Sequence, residues 1–213
     1  PGTLKEINQI QNKLINNNIK VAKLTGVNAS EINLKKIESP DLLHIATHGY
    51  FLNEESNNNN LLSKTLLGNF YNLSSSEPYL NSGLFLAGAK SSLQNSYFNS
   101  ENGIFSALEA RSLNLETTSL VVLSACETGR GSFVSGEGVF GLQRAFLEAG
   151  SKNVIMTLWK IDDDITSEFM DIFYENLIVK KEKISISLRN AQLHIKNKYE
   201  SPFYWGAFTL IKN

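Results

Sequence analysis

One cysteine and three histidines, Cys126, His44, His48 and His194, are the whole supply of thiol and imidazole in the chain. A thiol attacks an amide carbonyl as its thiolate. A hydrolytic cysteine therefore needs an imidazole within reach, to take its proton and to deliver one to the departing amine. Cys126 follows the apolar run Leu120-Val121-Val122-Leu123-Ser124, and His48 follows Leu42-Leu43-His44-Ile45-Ala46-Thr47. Both runs are short, apolar and abruptly stopped, the pattern of strands buried on both faces of a parallel sheet. In such sheets the ligand site lies beyond the carboxyl ends of the strands. A lone cysteine is more often a small buried hydrophobe, but its placement at a strand end, like that of His48, points to Cys126 as nucleophile and His48 as its partner.

His44 lies inside its apolar run and is expected as a hydrogen-bonded core histidine. The His44/His48 spacing imitates a helical metal site, yet in a strand the two are roughly 13 Å apart at about 3.3 Å per residue; no metal and no other cofactor is expected. The tetrahedral intermediate needs hydrogen-bond donors for its oxyanion. The main-chain N–H groups of Gly49 and Cys126 are the natural pair, and Gly49 also lets substrate backbone approach closely. The stretch Gly129 to Gly138 has the glycines of a phosphate loop but lacks the Gly-Lys-Ser/Thr ending, which argues against nucleotide binding.

These residues must be held by a regular framework. Leu4, Ile7, Ile10, Leu14 and Ile15 predict a helix over 4–17, ended by Asn16, Asn17 and Asn18. A strand is expected over Ile19 to Leu24, a short helix over Ser30 to Lys36, and the His48 strand over 42–48. Residues 50–102 are Asn- and Ser-rich, with an accessory strand expected in Ser82 to Ala89. A short helix over Ser106 to Ser112 precedes the Cys126 strand. Then come a helix over Gly138 to Ala149 capped by Gly150, a strand over Val154 to Trp159, helices over Asp163 to Val179 and Ile184 to Lys198, and a last strand over Trp205 to Ile211. The fold class is α/β: a three-layer α-β-α sandwich on a mostly parallel sheet.

Twenty Lys and Arg against twenty-one Asp and Glu, with no basic block, exclude an electrostatic nucleic-acid surface. No apolar stretch of about 20 residues predicts a membrane span. One cysteine makes no internal disulfide, and no signal peptide is evident, so a cytoplasmic protein is expected. The length suits one domain.

The segments "LLHIATHGYF" (42–51), "SGLFLAGA" (82–89), "NGIFSALEARSLNL" (102–115), "LVVLSACETGRG" (120–131), "GEGVFGLQRAFLEAGSKNVIMTLWKIDDD" (136–164) and "PFYWGAFTLI" (202–211) together resemble the CHAT-domain peptidases. These are caspase-like proteins of the clan of caspases, separases and gingipains, often fused to tetratricopeptide (TPR) repeats. The resemblance implies a caspase-like fold over 1–213 as a single domain, and matches the family's histidine to His48 and its nucleophile to Cys126. It also implies that the sequence starts inside the family's usual domain, lacking its N-terminal strand and upstream regions. A third triad residue is not implied, since a backbone carbonyl can orient the imidazole.

The loop Lys160-Ile161-Asp162-Asp163-Asp164 matches one that builds the substrate pocket in this clan. Asp162, Asp163 and Asp164 are thus candidate substrate-binding residues with a basic preference; capping of the next helix is the competing role for Asp162 or Asp163. Arg144 is expected to pair with Glu148 at i+4, and Trp159, Phe203 and Trp205 to fill core. The function implied is a cysteine endopeptidase acting on a specific protein, switched on by a partner or a TPR-type domain, in a setting such as bacterial defence or cell death. Two alternatives stand beside it: a catalytically inactive interaction module, and a thiol acyl hydrolase or transferase acting on small molecules.

Overall fold

The computed structural model describes residues 2–51, 78–95, 101–125, 132–134 and 138–213. Helix α1, Gly2–Asn16, opens the chain, buries Glu6, Ile10 and Leu14 on one stripe, and leaves Leu4 and Ile15 half-exposed. It ends as the asparagine run predicts. Asn18 takes a left-handed conformation (φ 60°), so that Asn18 N–H reaches Ile15 O and Ile19 N–H reaches Leu14 O, both at 2.9 Å.

The run Ile19 to Leu24, expected as a strand, has no regular structure. No described strand lies beside it to take its backbone hydrogen bonds, and Ile19 and Leu24 remain 41% and 39% exposed. Helix α2, Glu31–Lys35, follows, capped by the Ser30 hydroxyl.

Strand β1, Leu42–Ala46, leads through Thr47 into β2, His48–Phe51. Next come β3 (Ser82–Phe85), α3 (Ala89–Asn95), β4 (Ile104–Ser106), α4 (Ala107–Ala110) and β5 (Leu120–Ser124). Strands β6 (Ser132–Val134) and β7 (Gly138–Phe140) pair antiparallel before α5 (Leu142–Glu148) and β8 (Asn153–Thr157). Helix α6 (Asp163–Tyr174) runs into a π-helical turn, Glu175–Val179; α7 (Ile184–Lys198), α8 (Pro202–Trp205) and β9 (Phe208–Lys212) complete the chain.

The helix expected from Gly138 begins four residues later, because residues 138–140 are extended in β7 and Gly141 is an extended N-cap (φ −177°). It ends where predicted, on Gly150 at φ +109°, where a Cβ would meet Glu116 Cα at 2.8 Å. The last strand starts at Phe208, since Pro202 at the first helical position and the Ser201 cap turn 202–205 into a helix.

The main sheet has order β1-β5-β8-β9, the first three parallel and β9 antiparallel. Alternate residues of its strands point to opposite cores. Leu43, Ile45, Val121, Leu123, Val154 and Met156 meet α4 and α5, whereas Leu120, Val122 and Ile155 meet α1, α6 and α7. This is the expected three-layer sandwich. All five residues of β5 are buried, as a central strand covered on both faces must be.

Candidate active site

Strand β1 leaves the main sheet at Thr47, whose hydroxyl donates to Phe85 O on β3. The next residue, His48, was expected to close β1 but instead opens β2, opposite Phe85 in a second, antiparallel sheet β2-β3-β4. The sheet change depends on Gly83. A Cβ there would lie 2.5 Å from Tyr50 Oη and from Phe105 O, so glycine lets the Tyr50 ring cross β3. Tyr50 is half-buried, and its phenol is pushed well above the usual range by desolvation and by the charges of Glu109 and Glu31. The ring anchors β2 while His48, two residues earlier, stays exposed.

A cleft opens at the carboxyl ends of the parallel strands. Thr47 and His48 line it after β1, Ser124 and Ala125 at the end of β5, and Thr157 and Trp159 at the end of β8. The rest of the wall is Gly2, Thr3 and Glu6 of α1, with Ile161, Asp163 and Thr166 at the start of α6. Thr157 Oγ1 donates to Ala125 O at 2.5 Å, tying the ends of β5 and β8 together. Gly49 lies in β2 opposite Leu84. Cys126 follows Ala125 in the chain and lies outside the described residues, so its distance to His48 is not part of this geometry.

His44 is the core histidine the sequence predicts. Its Nδ1 is 2.9 Å from Tyr174 Oη and its Nε2 is 2.9 Å from Glu6 Oε1. Burial, and then the charge of Glu6, hold the Tyr174 phenol well above its ordinary value, so it keeps its proton. A neutral imidazole accepting that proton at Nδ1 carries its own at Nε2 and donates it to Glu6.

The three aspartates divide. Asp162 caps α6, accepting from Asp164 N–H at 2.8 Å and Ile165 N–H at 3.4 Å. Asp164 points to solvent and pairs with Lys5 at 3.4 Å. Asp163 lines the cleft, packed on Gly2, where an added Cβ would meet Asp163 Cβ at 2.5 Å. Arg144 pairs with Glu148 at 2.8 Å as expected. Trp159, expected in the core, packs against the core under α6 and α7 and also lines the cleft; it donates to Phe203 O at 2.8 Å and stacks on the Phe203 ring, itself 49% exposed. No group of His, Cys, Asp and Glu able to hold a metal occurs among the described residues.

Glu6 and Ser124 were missed from the sequence. A signal existed for Glu6, since it shares a stripe at i, i+4 and i+8 with the buried Ile10 and Leu14, an acid on an apolar face. Ser124 carried no such mark at the end of an apolar run.

The family model for the CHAT domain matches residues 1–213. The chain belongs to the CHAT domain family. Curated relatives of this CHAT domain include Tetratricopeptide repeat protein 28 of Mus musculus, 35% identical over 94 residues, and of Homo sapiens, 33% identical over 94 residues. In each case the match covers 43% of this chain and about 4% of the relative's length. Among solved structures, the Arg-specific cysteine proteinase gingipain R aligns with a TM-score of 0.58 at 14% identity, over 99% of this chain and 41% of that one. The CHAT domain thus has a caspase-like fold. Among the described residues, no helix is long and apolar enough to cross a membrane.

Proposed function

We propose that this CHAT domain, acting as one unit over 1–213, is a cysteine endopeptidase with Cys126 as nucleophile and His48 as general base and acid. The observation that carries the reading is the cleft itself: His48 and Ala125, the chain neighbour of Cys126, line one opening at the carboxyl ends of adjacent parallel strands. His48 takes the proton of Cys126, and the thiolate sulfur bonds to the scissile carbonyl carbon. Main-chain N–H groups of Gly49 and Cys126 hold the oxyanion. The C–N bond breaks as the imidazolium gives its proton to the amine. Water then attacks the thioester, His48 takes a proton from that water, and the thiol is restored. The substrate is a particular protein, and a partner or a TPR-type domain controls access, a role suited to bacterial defence or regulated cell death. The TPR proteins among the relatives support the association with a TPR-type domain.

The test is turnover of a diverse peptide library by the purified protein, alone and within its longer parent with partner. Cys126→Ala and His48→Ala each lower turnover by at least about a thousandfold while the thermal melt stays in place. Equal turnover by wild type and both variants, or none in any setting, overturns the peptidase.

A further inference from the structure

We propose that Thr157 is a positioning residue for the oxyanion hole: its hydroxyl holds the Ala125–Cys126 peptide unit with the N–H turned toward the His48 side of the cleft. The proposal rests on the peptidase reading and adds to it the group that aims one of the two oxyanion donors.

Strand β5 runs out of sheet just where the nucleophile follows. Its registered pairs end at Ser124 opposite Ala46 on the β1 side and at Leu123 opposite Met156 on the β8 side. Ala125 lies beyond both, and there a side chain takes over from the ladder: Thr157 Oγ1 donates to Ala125 O at 2.5 Å. Ala125 is 4% exposed and Thr157 3%, so bulk water competes little for the bond. Thr157 is itself a fixed point. It pairs with Phe208 of β9, and the next residue, Leu158, donates its N–H to Ala207 O at 2.9 Å. Its β-branched side chain is also stiff about the first torsion.

The direction follows from covalent geometry. A trans peptide unit is planar, and its N–H points opposite to its C=O. Strand β8 flanks β5 on one side and β1 on the other. With Ala125 O drawn to Thr157 on the β8 side, the N–H of that unit, which belongs to Cys126, is directed to the β1 side, where His48 and Gly49 follow Thr47. The second donor of the proposed hole, Gly49 N–H, lies on that same side. Turning the unit over breaks the Thr157 bond, whose donor and acceptor are both buried, and that cost keeps the donor aimed before substrate arrives. Thr47 uses its hydroxyl in the same way on the far side, donating to the carbonyl of Phe85, which faces His48 in register. Each reactive residue thus has a threonine-to-carbonyl bond beside it.

The experiment compares wild type with Thr157→Val, which keeps the branched shape and removes the donor, and with Thr157→Ser and Thr157→Ala, which differ by the hydroxyl alone. On cleaved peptides Thr157→Val should lower kcat by about tenfold to a hundredfold with KM nearly unchanged, somewhat less than outright loss of an oxyanion donor, and Thr157→Ser should recover most of it. Affinity for a peptide aldehyde, whose hemithioacetal carries its oxygen in the hole, should fall by the same factor as kcat/KM. Alkylation of Cys126 by iodoacetamide, a displacement at carbon that forms no oxyanion, should keep its rate and its pH profile. Unchanged kcat, or alkylation slowed as much as turnover, overturns the proposal. If Thr157→Val does not fold, equal kcat for the Ser and Ala variants overturns it instead. Acetyl transfer from p-nitrophenyl acetate separates the two readings, because it needs no protein substrate: the thiolate sulfur bonds to the acetyl carbon through a tetrahedral oxyanion, and p-nitrophenolate leaves. A burst that Cys126→Ala abolishes and Thr157→Val slows, with no peptide cleaved, retains the positioning role and discards the endopeptidase. Cys126-dependent cleavage and a burst that Thr157→Val leaves unchanged do the reverse, and neither burst nor cleavage in wild type overturns both.

Discussion

His44 and His48 stand four residues apart and live in opposite surroundings. The first is clamped between Tyr174 and Glu6 inside the α1 layer, and the second is exposed at the rim of the cleft. That difference was legible, because one histidine interrupts an apolar run and the other ends it before a glycine. The partners were not legible, because Glu6 and Tyr174 come from segments 38 residues before and 130 residues after His44. Tyr174→Phe keeps the ring and deletes the hydroxyl, leaving His44 Nδ1 buried and unpaired. Urea unfolding should show a loss of about 1–3 kcal/mol; an unchanged midpoint would mean that water or a rotated ring replaces the bond. His48→Ala, with little packing to lose, should leave the same curve almost unmoved.

At the scale of elements, periodicity worked where burial and local chemistry agreed. Strands β5 and β8 and helix α7 fall within a residue or two of their predicted positions, and Asn18 and Gly150 end their helices as their tolerance of positive φ requires. It failed where the partner decides. Residues 19–24 have strand-like composition but no described neighbour, and residues 138–140 pair with β6 instead of joining α5.

A three-element clamp around Glu148 gives a pH test at this scale. The α5 carboxylate accepts from Tyr79 Oη at 2.6 Å and pairs with Arg144 at 2.8 Å and Arg111 at 2.7 Å. Burial alone would raise its pKa, but the Tyr79 and Arg144 hydrogen bonds and the two guanidinium charges outweigh it and hold the group below 4.5. A depressed carboxylate contributes stability that is present above its unfolded value and lost as pH falls through its folded one. Glu148→Gln should therefore melt below wild type at pH 7, with the gap closing progressively below about pH 4.5. A gap that persists unchanged at pH 3 would assign the loss to packing.

For the molecule as a whole, one wall of the cleft is a seam between two helices far apart in the chain. Helices α1 and α6 form one wall, joined by Lys5–Asp164, by Ser167 Oγ donating to Gln9 Oε1, and by Lys13 with Asp171 and Glu175. Gly2→Ala tests that wall. Alanine favours helix by up to about 1 kcal/mol, yet its Cβ would sit 2.5 Å from Asp163 Cβ, which no rotamer can move away. The first turn of α1 must shift, so peptide turnover should fall by about tenfold to a hundredfold while the melting temperature changes little. Unchanged turnover would show that the wall tolerates the shift.

The same seam sets a time of assembly. Its contacts join residues 158 to 162 positions apart. At about 5–20 residues per second of synthesis, α1 waits roughly 10–30 s for the strand of protein that completes it. His48 is made early in that interval and Cys126 about three quarters of the way through it, so from then on both exist while the wall that would seat a guest does not. A chain still emerging from the ribosome therefore carries His48 and Cys126 before that wall is finished, and the wall is complete only once α6 has been made.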